Sequence, residues 1–390
     1  MSRLSSSSRS SRAWGVQLAA VFRGAVIAAI SSLAVGSACS KQSDQGQSSP
    51  SSPPALTPQP VQQQSAVAIS QEVKDVFNRA ARSVVKIHGV DDHSDIFGTG
   101  FFVDPTGTLY TSYTVGGEAG SFSIEFDGKS YPARQILADV RSGVAMLKIE
   151  ATTPALPIGK AEQLEVATPV VAIGYPLDLP ETPSFGMIAG FDRKYLGRYF
   201  STTHLRVNLP AQRGEAGAPL LNLKGEVVGI LVSSLESNSA CYALPIAAAE
   251  KIRNDFVRFG EVRHGWIGAN VTEAKTTAEG SRAEITDILA TPAAECGMKA
   301  GDILLQVGRT KVREPEDVLD ASFFITAGDT VPITVHRGNE DITFNVQADF
   351  HPASRNIPMY PDGRQAPMSA TLPPNHGIPL NLQSAPEGNP

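Results

Sequence analysis

Phe, Val, Ile and Thr fall in short runs along this chain, with Gly, Pro, Asn and Asp between them. That spacing predicts a mostly β protein. Val84–Ile87, Gly100–Val103, Thr108–Ser112 and Phe122–Phe126 read as strands, the last with strict apolar alternation. Asp127-Gly128 supplies a hairpin turn immediately after it. Two segments carry helical spacing instead. Val73, Val76, Phe77 and Ala80 predict a helix over Ser70–Arg82 with Ser70 as its cap. Ile252 and Phe256, one turn apart, predict a second over Ala247–Phe259, stopped by Gly260. A linker near Ala151–Pro157 separates the strands before it from those that follow.

Composition sets the scale. At 390 residues and 42% hydrophobic, the chain can bury two or three ordinary cores once its ends are set aside. A formal charge of −6, with no basic cluster in the folded part, argues against nucleic acid as a partner. The 3 cysteines, Cys39, Cys241 and Cys296, make no disulfide framework. Without Cys-x-x-Cys or His-Glu-x-x-His spacing, neither a metal site nor a cofactor is expected.

The ends are of a different character. Arg3, Arg9, Arg12 and Arg23 precede a short apolar run, Ala25–Val35, and then Gly36-Ser37-Ala38, so residues 1–38 read as an export signal. The junction also resembles a bacterial lipoprotein signal, which would lipidate Cys39 and tether the chain to a membrane. Gly36 departs from that pattern, and simple cleavage after Ala38 is the alternative. Residues 39–68 are Ser, Gln and Pro with few large apolar side chains, a composition expected to stay a flexible tether. Residues 351–390, rich in Pro and Asn, read as a disordered tail.

Several segments between these ends resemble the HtrA/Deg family of trypsin-like serine proteases. Gly98-Thr99-Gly100-Phe101-Phe102-Val103-Asp104-Pro105-Thr106-Gly107 is similar to that family's first-barrel hairpin. Val170-Val171-Ala172-Ile173-Gly174-Tyr175-Pro176 is similar to a second-barrel strand, and Phe185-Gly186-Met187-Ile188-Ala189-Gly190 to a turn. Cys241-Tyr242-Ala243-Leu244-Pro245-Ile246 matches a later strand. The resemblance implies a chymotrypsin-like double β-barrel over residues 69–262.

The same alignment empties the catalytic triad. Gly214-Glu215-Ala216-Gly217-Ala218-Pro219-Leu220 stands for the family's Gly-Asn-Ser-Gly-Gly-Pro-Leu, which puts Ala216 in the nucleophile's place. Thr111-Ser112-Tyr113-Thr114-Val115 puts Thr114 where the histidine base would be. Asp139 to Ile149 puts Gly143 at the orienting aspartate. Such a triad needs an oxygen nucleophile, an imidazole and an acid to hold it, so the resemblance implies no catalytic residue here. Glu215 would bring a carboxylate beside the oxyanion hole. An unconventional nucleophile, Ser112 or Ser201 with His88, His93 or His204, is the alternative, and no spacing selects among these.

Residues 263–350 resemble a small α+β PDZ domain. Thr291-Pro292-Ala293-Ala294-Glu295-Cys296-Gly297-Met298-Lys299-Ala300-Gly301-Asp302-Ile303-Leu304 is similar to its core motif. The resemblance implies a peptide carboxylate held by backbone groups at Ile267, Gly268 and Ala269. Trp266 and Val318 would shape the terminal side-chain pocket, and a helix over Pro315–Ile325 would flank the groove. The function implied is that of a pseudoprotease in the periplasm or cell envelope. It would bind peptides or unfolded segments, their C-termini included, as chaperone, adaptor or regulator. The rivals are an active serine endopeptidase and a scaffold for one folded partner. Relatives form homotrimers through residues ahead of the first barrel, and the sequence leaves that assembly open.

Overall fold

The computed structural model describes residues 60–90, 95–160, 164–195, 198–235, 240–289 and 292–352. The proposed signal, Cys39, His93, Thr291 and the tail from residue 353 lie outside them. The chain opens with α1 (Pro60–Ala80), which runs through a short 3-10 turn into the first barrel. This corrects the tether, expected to continue to residue 68. Gln and Ala are good helix formers and Pro is tolerated in a first turn, so helix begins well before the first apolar stripe. Ser70 sits mid-helix and caps nothing.

Six strands form the first closed barrel: β1 (Val84–Val90), β2 (Asp95–Phe102), β3 (Thr108–Ser112), β4 (Ser121–Phe126), β5 (Lys129–Asp139) and β6 (Val144–Lys148), in the order β1-β2-β3-β6-β5-β4. A one-turn helix, α2 (Tyr113–Gly116), leaves β3. Asp127 and Gly128 both have positive φ, 50° and 69°, as the β4–β5 hairpin requires. The second barrel repeats the plan with β7 (Pro169–Gly174), β8 (Thr182–Tyr195), β9 (Arg198–Val207), β10 (Pro219–Leu221), β11 (Val227–Ser234) and β12 (Cys241–Pro245), ordered β10-β11-β12-β9-β8-β7. Phe185–Gly190, expected as a turn, lies inside β8. Its residues pair with β7 or β9 through a bulge between Ile188 and Gly190.

Alternation along these strands serves two cores at once. Val85, Ile87 and Phe102 point into the first barrel, whereas Val84 and Phe101 point outward into the layer between barrels. In β7, Val170 and Ala172 fill the second barrel while Val171 and Ile173 join that same layer. A strand buried on both faces must read as a continuous apolar run, as Val170 to Ile173 does. Each fully buried Phe or Ile side chain contributes roughly 1.5–3 kcal/mol. The layer is closed by α1, through Val76 and Ala80, and by α3 (Ile246–Phe259), through Ala248, Ala249 and Ile252. Gly260, at φ 75°, caps α3 by donating its N–H to the Phe256 carbonyl.

The last module starts with β13 (Gly265–Trp266). It continues with β14 (Ala269–Ala278), β15 (Ser281–Ile288), α4 (Pro292–Glu295), β16 (Ile303–Val307), β17 (Thr310–Lys311), α5 (Pro315–Phe323), β18 (Thr330–Arg337), β19 (Glu340–Gln347) and β20 (Asp349–Phe350). Its sheet runs β14-β15-β16-β18-β19, so β14 is an edge strand, and β13 pairs with β20. The sequence pattern carries α5 to Ile325, but the helix ends at Phe323. His351, assigned to the tail, is buried against the module's start and donates its N–H to the His264 carbonyl. Folded structure therefore extends past residue 350.

Candidate functional site: an inter-barrel cleft and a peptide-type groove

The loop carrying Ala216 is held from the opposite barrel by one threonine. Thr99 N–H donates to the Ala216 carbonyl at 2.9 Å and Thr99 Oγ1 to the Gly214 carbonyl at 2.7 Å. Thr99 Oγ1 also accepts from Tyr175 N–H at 3.1 Å, and Thr111 Oγ1 donates to the Thr99 carbonyl at 2.8 Å. Gly217 has φ 88°, and a Cβ there would lie 2.2 Å from Thr99 O and 2.3 Å from Thr111 Oγ1. Only glycine fits. Gly217→Ala is expected to cost about 2 kcal/mol or more, visible as a melting temperature several degrees lower; an unchanged melt would show that the loop yields freely.

Thr114 and Gly143 lie in the first barrel, and Ala216 lies on the second-barrel loop that Thr99 holds. Ala216 packs against the first-barrel cluster that includes Val115. Thr114, next to Val115 on α2, is exposed, with Oγ1 2.9 Å from Ser112 Oγ. The preceding residue, Tyr113, donates its N–H to the Gly143 carbonyl at 2.7 Å. Gly143 has φ 78°, a left-handed conformation that favours glycine.

Glu215 does not face the cleft. It is buried, its Oε2 accepts from Gln212 N–H at 2.6 Å, and a Cβ on Gly174 would lie 3.0 Å from its Cγ. Burial raises its pKa above the usual carboxylate range, against the opposing Gln212 hydrogen bond. Its carboxyl also helps burial push the Cys241 thiol up to about 12. The expected carboxylate beside an oxyanion site is therefore turned into the second barrel.

None of the alternative nucleophile pairs forms among the described residues. Ser201 Oγ donates to the Arg141 carbonyl at 2.5 Å, and Ser112 faces Thr114. His88 stacks on Phe97 at 4.7 Å, with Nε2 3.5 Å from Asp95. His204 is buried, stacked on Phe200, and donates from Nδ1 to the Thr202 carbonyl.

The second concavity lies between β14 and α5. Trp266, Ile267, Ala269 and Val318 line a pocket of about 70 Å³ there. Gly268 forms the corner of the loop at φ 79°, and its carbonyl accepts from Leu289 N–H. Arg141 and Ser201 of the barrels also reach this pocket, as does His264 just ahead of β13, and no segment likeness pointed to any of these contacts. Polar contacts fix α5 to the β8–β9 hairpin. Arg193 meets Glu314 at 2.7 Å and Asp317 at 2.8 Å, and Asp320 accepts from Thr202 Oγ1 and Thr203 N–H.

A buried junction completes the attachment. His264 Nε2 donates to Asp139 Oδ1 at 2.8 Å, and Ser142 N–H donates to Oδ2. Burial alone would raise the Asp139 pKa, but His264 and the Ser142 hydrogen bonds hold it well below the carboxylate range. Nearby, Lys251 meets Asp255 at 2.6 Å, and Thr326 Oγ1 donates to Asp255 at 2.9 Å.

Two closed barrels followed by a module with an edge-strand groove have the architecture of a trypsin-like body with a PDZ-like module after it. Comparison with known proteins agrees. Residues 98–230 match the trypsin-like peptidase domain family and residues 265–348 the PDZ domain family. Over 275 residues the chain is 27% identical to a probable periplasmic serine endoprotease, DegP-like, of Bartonella henselae, covering 67% of this chain and 54% of that one. Over 277 residues it is 30% identical to the serine protease HTRA1 of Xenopus tropicalis, covering 64% and 59%. A solved serine endoprotease from Yersinia pestis aligns with a TM-score of 0.55 at 26% identity, over 71% of this chain and 97% of that one. The fold of an HtrA-type protease, AlgW with tripeptide, aligns with a TM-score of 0.63 at 21% identity, over 75% and 99%. The chain is thus similar to HtrA-type proteases across both its trypsin-like and its PDZ segments. It spans about half the length of the curated relatives it matches.

Proposed function

We propose that this chain holds peptides or unfolded segments in its PDZ groove without hydrolysing them, as a chaperone, adaptor or regulator of the cell envelope. One feature supports the reading: the segments that resemble the family's triad motifs carry Ala216, Thr114 and Gly143, whose side chains cannot attack, accept a proton or orient a base. Backbone pairing to β14 needs none of those groups. Relatives named as periplasmic endoproteases support an envelope location, and lipidation at Cys39 would anchor the chain there. Solved HtrA-type proteases carrying a tripeptide or a decapeptide support a peptide ligand.

A second reading, an active serine endopeptidase, is favoured by the names of those relatives. A fluorophosphonate probe separates the two. No covalent labelling of the purified chain is expected, whereas stoichiometric labelling at any serine would establish the endopeptidase. For the groove, replacement of Val318 by Arg should fill the pocket and lower affinity for a labelled peptide at least about tenfold. Equal affinity in that variant would move the binding site elsewhere.

A further inference from the structure

Arg141 is an anomaly at the groove. It lies between β5 and β6 of the first barrel, yet lines the pocket formed by Trp266, Ile267 and Val318. Its Nε is shielded from solvent and has no hydrogen-bond partner. Asp139 is near enough to favour the charge, but both of its oxygens are already engaged, by His264 and by Ser142. Lys251 is paired with Asp255, and His351 is held neutral, its pKa pushed down to about 3 by burial and by the positive fields of Arg141 and His264. A shielded guanidinium N–H without an acceptor is costly, and such groups are ordinarily paired.

The position is also fixed. Ser201 Oγ donates to the Arg141 carbonyl and ties this residue to β9, the strand whose Thr202 and Thr203 hold α5. Ile267 lines the same pocket, and its N–H and that of the adjoining Gly268 donate to no backbone carbonyl among the described residues. Two amides without a backbone acceptor and one guanidinium Nε without a partner therefore adjoin one small apolar pocket.

We propose that Arg141 is a specificity-determining residue of the groove: it pairs with the terminal carboxylate of a bound peptide, so that the ligand is held jointly by the PDZ loop and the first barrel. Arg and carboxylate suit each other through two parallel N–H···O bonds. The pocket's size favours a small apolar last residue such as Ala or Val. This rests on the peptide-groove reading above, and adds to it a cross-domain contact that selects free C-termini.

The test uses the full chain and a fluorescein-labelled decapeptide ending Ser-Val-Val, as free acid and as amide. Anisotropy should show wild type binding the acid about tenfold or more tighter than the amide. Arg141→Gln should bring that ratio to about threefold or less by weakening the acid alone, and Arg141→Lys should restore part of it. An unchanged ratio in Arg141→Gln, or equal loss for both forms, overturns the role of Arg141 while leaving the groove reading intact. If neither form binds wild type, the groove reading falls and this inference with it. An amidated peptide ending in Asp provides the last arm. Arg141-dependent binding of that peptide, without acid-over-amide preference, would assign Arg141 to an acidic side chain and overturn the proposal.

Discussion

Labelled casein is expected to stay intact over a day with the wild-type chain, and to stay intact with Ala216→Ser. Removing the nucleophile alone from a serine protease lowers turnover by about 10⁶-fold. Restoring a hydroxyl at Ala216 does not restore its activation, because a serine needs a base within hydrogen-bond reach. Thr114 offers only another hydroxyl, already close to Ser112. The third position resists repair as well. Gly143→Asp would place a β-carbon on a backbone at φ 78°, costing about 1–2 kcal/mol. Ala216→Ser with Thr114→His is therefore the informative variant: weak fluorophosphonate labelling of the pair, with neither single variant labelled, would support the assignment of these positions. Casein fragments from wild type would instead establish the endopeptidase.

Acid should loosen the fold in two stages. His204 is buried, which lowers its pKa to about 4, and His351 is lowered to about 3. The unfolded chain takes up these protons near pH 6.5, while the folded chain resists until far lower. Stability therefore falls as pH drops from about 6.5 towards 4, by roughly 3 kcal/mol for His204. That is a large share of the 5–15 kcal/mol typical of a folded domain. Asp139 acts in the other window. Its folded pKa is depressed, so its contribution is present above about pH 4 and is lost as pH falls below that. Melting temperature followed from pH 7.5 to 4 should decline steadily, and His204→Asn should flatten the slope between 6.5 and 4. A constant melting temperature across that range would contradict the buried neutral imidazoles.

The strands were legible where burial is one-sided or complete. Phe122 to Phe126 alternates because one face lies in a core, and Val170 to Ile173 is continuous because both faces do. Helix α3 was legible for its stripe and its Gly260 stop. What escaped the sequence was long-range. The first turns of α1 carry Gln rather than an apolar stripe, so periodicity says nothing about them. The β8–β9 hairpin extends far beyond its apolar residues because Arg193, Thr202 and Thr203 find partners on α5. At the cleft, segment likeness named Thr114, Gly143 and Ala216, but could not give the direction of Glu215. In the groove it named Trp266, Ile267, Ala269 and Val318. Arg141 and His264 were invisible, since nothing in a local window marks a residue whose role depends on a neighbouring domain.

The shared wall of that pocket bears on how its ligands should be sought. Excised at Gly265, the PDZ fragment would keep the sheet edge and α5 but leave behind the guanidinium, the Ser201 hydroxyl and the His264–Asp139 anchor. Phage libraries panned on such a fragment would be sorted by an incomplete receptor. Preferences measured that way would describe the fragment and misreport what the whole molecule retains.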